Sequence, residues 1–88
     1  MSNEEELLEE VRKIGEKCKN DLIEASKNPD LDLSLKRREI EERAEKKLDA
    51  ILHAYFKDKP NNTHLRTIVY ESVFTKTILK TYRELTKK

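Results

Sequence analysis

The fold turns on one stretch, residues 63–86: Thr63-His64-Leu65-Arg66-Thr67-Ile68-Val69-Tyr70-Glu71-Ser72-Val73-Phe74-Thr75-Lys76-Thr77-Ile78-Leu79-Lys80-Thr81-Tyr82-Arg83-Glu84-Leu85-Thr86. It holds six threonines, and six β-branched aliphatic or aromatic residues fall between Ile68 and Ile78. Such side chains lower helix propensity and favour strands. The spacing nevertheless points to a helix. Strict apolar–polar alternation is absent, whereas Leu65, Ile68, Val69, Leu79 and Tyr82 share one face at about 100° per residue, with Ser72 and Thr75 between them. Lys76, Lys80, Arg83 and Lys87 form a basic stripe. The pattern predicts a helix over residues 62–86, with Asn62 or Thr63 satisfying its first amides.

The two preceding segments have helical spacing too. In the second, Ile40, Ala44, Leu48, Ile51 and Tyr55 form a stripe broadened by Leu52, opposite a crowded charged side, which predicts a helix over 34–57 capped by Asp32 or Ser34. Glu39–Arg43 and Glu42–Lys46 are spaced for supporting ion pairs. Leu31, Leu33 and Leu35 alternate ahead of this helix and are expected to plug the end of a bundle. In the first segment, Leu7, Leu8, Val11, Ile14, Cys18, Leu22 and Ala25 fall on one face, and only Ile23 strays. Gly15 shares that face and is expected to allow close helix approach. Ser2 and Glu5 are spaced as a capping box, so the first helix is predicted over 3–27. The breaks between segments hold Pro29 and Pro60, each of which biases the residue before it away from the α region. Three helices joined by short loops imply an all-α, up-down-up three-helix bundle forming a single domain over 1–88.

Composition narrows the class further. Charged residues make up 42% of the chain and hydrophobic ones 35%, with one Gly, two Pro and a net charge of +1. That is too little Gly and Pro for a sandwich or barrel, and the apolar residues are too periodic for a disordered chain. No apolar run reaches a membrane span, and the acidic start Glu4-Glu5-Glu6 is unlike a secretory signal, so a soluble protein without targeting signal, cytoplasmic or recombinant, is expected. The single Cys18 excludes an internal disulfide. Residues 1–27 carry 5 bases and 8 acids, residues 28–59 carry 8 and 8, and residues 60–88 carry 6 and 2. An acidic first helix beside a basic third is a modest electrostatic preference.

High Glu, Lys and Arg content, matched helices, short loops and an N-terminal capping box resemble computationally designed helical bundles. The resemblance covers the whole chain but is one of style, since no motif defines that class. It implies a scaffold or binding module. Gly15, Cys18, the irregular Asn28–Asp32 loop and the Thr-rich third helix depart from it.

Catalytic and metal chemistry find little footing. Asp49 and His53 are i,i+4 neighbours that His64 could approach, but Cys18 sits far from both histidines, so neither a metal nor any other cofactor is expected. Cys18 has Ile14 and Leu22 on its face and no histidine in its helix, which suits a core residue better than a nucleophile. Glu71-Ser72-Val73 is faintly similar to the last helix of the all-α chorismate mutases, but residues 3–27 lack the spaced cationic ladder those enzymes need. Asn61-Asn62-Thr63 fits the glycosylation pattern and is read instead as loop and N-cap. The chain is not expected to be an enzyme.

What remains is surplus apolar surface on the third helix. Tyr70, Phe74, Ile78 and Leu85 form a second row, about 140° from the first at α-helical spacing, accompanied by Thr67, Thr77 and Thr81. Anchors ringed by small hydroxyl residues suit a helix-in-groove interface. The expected function is therefore a protein-binding module or scaffold that contacts a protein partner through Thr67, Tyr70, Phe74, Thr77, Ile78, Thr81 and Leu85. A self-associating homodimer is the alternative. Binding of nucleic acid or another polyanion by the basic stripe, or by Lys36-Arg37-Arg38, is weaker, because the net charge is small.

Overall fold

In the computed structural model, which describes residues 3–87, each helix starts at a short acceptor side chain. Asn3 Oδ1 accepts from the Glu6 amide at 2.8 Å ahead of α1 (Glu4–Ser26). Asp32 Oδ1 accepts from the Ser34 and Leu35 amides at 3.0 and 3.3 Å ahead of α2 (Leu33–Tyr55). Asn62 Oδ1 accepts from the Leu65 amide at 3.1 Å ahead of the third helix, α3, which runs from Thr63 to Thr86. Each such cap is worth about 1 kcal/mol, because it satisfies an amide that has no partner within the helix. Ser2, assigned to a capping box from the sequence, lies outside the described residues. In the first loop the Asp30 amide donates to Asn28 Oδ1 at 3.0 Å, and Pro29 prevents α1 from continuing.

Helix α3 is composite. Thr63–Tyr70 and Lys80–Thr86 are α-helical, and Glu71–Leu79 between them is π-helical. The directions follow from residues that meet. Asp21 pairs with Arg43 at 3.9 Å, Tyr70 bonds Asp49, and Arg37 stacks 4.4 Å from the Tyr82 ring centre, so α2 runs against both neighbours. Since α1 and α3 both run against α2, they are parallel to each other, with Gly15 of α1 facing Thr77. The result is the all-α, up-down-up three-helix bundle, with no strand among the described residues.

Leu7, Val11, Cys18, Leu22, Ile40, Ala44, Leu48, Leu52, Tyr55, Leu65, Val69, Val73 and Ile78 form the buried cluster. α1 and α2 contribute nearly the faces expected of them, but Leu8 remains 41% exposed. Leu31 and Leu35 do not plug the bundle: they are 37% and 54% exposed, and only Leu33 packs against the core. Once Asp32 caps α2, Leu33 and Leu35 are helical residues, and consecutive odd positions then diverge by about 200°. On α2, the ion pairs are Lys36–Glu39 and Arg37–Glu41. Arg43, expected to pair with Glu39, turns to Asp21 instead.

The face of α3 differs most from expectation. Ile68 is 42% exposed and Leu79 half-buried, whereas Ile78 is completely enclosed. The reason is the π segment. A uniform α-helix at about 100° per residue would carry Lys76, Lys80, Arg83 and Lys87 round to the side of Leu65, Val69 and Val73, driving ammonium groups into the core. The wider π turn absorbs one extra residue. The buried sequence thus steps by four from Leu65 to Val69 to Val73, then by five to Ile78. The lysines are left outside. Thr77 Oγ1 donates to the Ser72 carbonyl five residues earlier at 2.8 Å, reinforcing the wide turn.

Candidate protein-binding groove

The seven residues singled out on α3 do not form one exposed stripe. Thr67 is exposed; Tyr70, Phe74 and Leu85 are half-buried and pack against the core cluster. Tyr70 and Phe74 stack with ring centres 5.9 Å apart, and the Tyr70 hydroxyl donates to the Asp49 carboxylate. Ile78 is fully enclosed, which removes it from any docking surface, and Thr81 is only 7% exposed. The five-residue step through the π segment turns them inward. Thr77 is half-buried against Gly15 of α1.

An open groove of about 570 Å³ instead runs between α1 and α3. Its floor is small and partly hydroxylic: Val11 and Gly15 from α1, Ser72, Thr77 and Thr81 from α3. Gly15 sets its depth, since a Cβ there would lie 3.4 Å from Thr77 Oγ1 and 3.7 Å from its methyl group. Leu8 and Ile68, two of the most exposed large apolar side chains, flank one end. Arg12, Lys19, Lys76 and Lys80 line the walls together with Glu16 and Glu84.

These cations are not equivalent. Arg12 is clasped by Glu9, at 2.6 Å, and by Glu16, at 3.9 Å. Its guanidinium hydrogen bond holds the Glu9 carboxyl below the usual range. Lys19, Lys76 and Lys80 form no ion pair among the described residues. Three unpaired ammonium groups beside two exposed aliphatics suit a ligand that is both acidic and apolar.

The remaining chemistry-bearing side chains are arranged differently. Cys18 is buried in the core, and burial pushes its thiol pKa up, the reverse of what a thiolate nucleophile requires. His53 and His64 are exposed, and Asp49 is taken by Tyr70. Among the described residues, no three His, Cys, Asp or Glu side chains are grouped to hold a metal ion. No described helix is long and apolar enough to cross a membrane.

Leu8, Ile68 and Lys19 therefore join Thr77, Lys76 and Lys80 as groove residues that helical periodicity alone did not assemble. One signal was present: Gly15 within an otherwise Gly-free helix marks a close approach, and such an approach leaves a furrow beside it. The chain matches no family model, no curated protein and no solved structure.

Proposed function

We propose that this chain is a non-enzymatic protein-binding module whose contact element is α3, working together with α1 through the groove between them. The observation that carries the reading is the pairing of exposed Leu8 and Ile68 with unpaired Lys19, Lys76 and Lys80 along a single furrow. The occupant that fits is an acidic amphipathic helix. Its apolar residues would cover Leu8 and Ile68, and its carboxylates would meet the lysines. The π segment forms part of the groove floor through Ser72 and Thr77, and such irregular turns are frequent at functional sites. Matched helices support the resemblance to designed bundles, whereas a nine-residue π segment, foreign to idealised backbones, weighs against it.

Amide chemical shifts measured by NMR while a synthetic acidic amphipathic helix is added test the reading. Saturable shifts confined to the facing sides of residues 8–19 and 68–84, abolished by Leu8→Glu with Ile68→Glu, are expected. Shifts centred on Tyr70, Phe74 and Leu85 would move the interface to the α2 side. An absence of shifts would overturn the proposal, as would tighter binding of single-stranded DNA than of the peptide.

A further inference from the structure

Granted that the groove docks an acidic helix, we propose that it accepts that helix in one direction, because its apolar and cationic features lie at opposite ends. Leu8 and Ile68 lie seven and nine residues before Gly15 and Thr77, which face each other across the parallel α1 and α3, so both sit toward the same end of the groove. Lys19 is eleven residues beyond Leu8, about 16 Å along α1 at α-helical rise, and Lys80 is twelve beyond Ile68. Lys76 lies between these levels.

Arg12, the groove cation nearest the apolar end, is outnumbered by the Glu9 and Glu16 carboxylates that engage it. From the middle of the groove to its other end come the unpaired Lys76, Lys19 and Lys80, with Glu16 and Glu84 as the lining carboxylates. A helix with its apolar anchor over Leu8 and Ile68 and its carboxylates about 8–11 residues away satisfies both ends. Reversed, it sets carboxylates above Leu8 and Ile68, where the nearest groove cation, Arg12, is already held by Glu9 and Glu16, and lays its apolar residues against ammonium groups that must keep their water. Carboxylates also stabilise a helix best in its first turns. The preferred ligand therefore has acids in its N-terminal half and apolar anchors in its C-terminal half, and lies antiparallel to α1 and α3. Exposed ion pairs are individually weak, and three together amount to about tenfold in affinity.

Two peptides of about 18 residues and identical composition provide the test. One has acids and anchors segregated as described; the other has them interleaved with helical amphipathicity retained. Each carries a nitroxide at its C-terminus. The segregated peptide is expected to bind about tenfold more tightly. Its label should broaden the amide signals near Leu8 and Ile68 and spare those near Lys19 and Lys80. The preference should fade between about 50 and about 200 mM salt. Equal affinities, or broadening at the lysine end, overturn the directional inference while docking itself stands. Binding of neither peptide removes the docking reading as well.

Discussion

At the scale of single residues, Ile68 and Ile78 are the informative pair, being one residue type in one helix with opposite environments. Ile78 is fully enclosed among Val73 and its core neighbours, so Ile78→Ala should cost about 2–4 kcal/mol in lost transfer energy and cavity. Ile68 stands 42% exposed on the groove, and Ile68→Ala should stay within about 0.5 kcal/mol. Urea denaturation of the two variants checks this; equal losses would mean that the π register is wrong. Tyr70 supplies a second residue-level expectation. Its hydroxyl pKa is pushed up to about 12, first by burial and then by the bond to Asp49. The phenol ionises near its ordinary value of about 10 in the unfolded chain. Its raised pKa therefore contributes stability that is intact below about pH 10 and is lost as the pH climbs through about 12. Tyr70→Phe should cost about 1 kcal/mol near neutral pH. It should also flatten the decline between pH 10 and 12, read from urea midpoints at stepped pH.

At the scale of elements, the π segment should be removable. Val73 and Ile78 are five apart in the chain yet occupy successive core layers, so deleting exposed Thr75 restores a four-residue step. Thr81, Tyr82 and Leu85 keep their spacing from Ile78, and the whole of α3 can then wind as an ordinary α-helix. The deletion variant should remain folded, with its urea midpoint unchanged or raised. It should bind the acidic helix more weakly, because Ser72 and Thr77 no longer share a widened floor. A deletion that unfolded the protein would show that the wide turn is needed for packing itself. This element also marks where the sequence became hard to read. The Asp32 and Asn62 caps, most of the faces of α1 and α2, the approach at Gly15 and the helical nature of residues 63–86 were legible, since each depends on local chemistry and a fixed 3.6-residue period, whereas the Asn3 cap of α1 was missed in favour of Ser2. The inward turn of Ile78 and Thr81 was not. A one-residue slip changes no residue type; it only rotates everything after it. A fixed period therefore placed Leu79 and Ile68 inside and left the groove's components apart. The clue was the clash it implied, with four basic residues on the same side as Leu65, Val69 and Val73.

At the scale of the molecule, shape and the distribution of apolar surface bear on self-association. The chain is a rod of 46 × 18 × 17 Å with a Cα radius of gyration of 14.2 Å, against about 12 Å for a compact domain of this length. A rod offers long flanks, and a stable dimer needs about 800 Å² on each partner, a sizeable part of the 6386 Å² this chain exposes. The large exposed aliphatics lie at opposite ends: Leu8 and Ile68 near the start of α1, Leu31 and Leu35 beside the loop after it. The second apolar row of α3, which runs between those ends, is consumed within the subunit, by burial of Ile78 and by packing of Tyr70, Phe74 and Leu85 against the core. Two copies meeting groove to groove would oppose Lys19, Lys76 and Lys80 with themselves, and like charges at close range disfavour that arrangement. Sedimentation equilibrium over a concentration series should accordingly give the mass of one chain throughout, 10.4 kDa. A mass that rises with concentration, and falls back in Ile68→Glu, would identify the groove as a self-contact rather than a seat for an acidic partner.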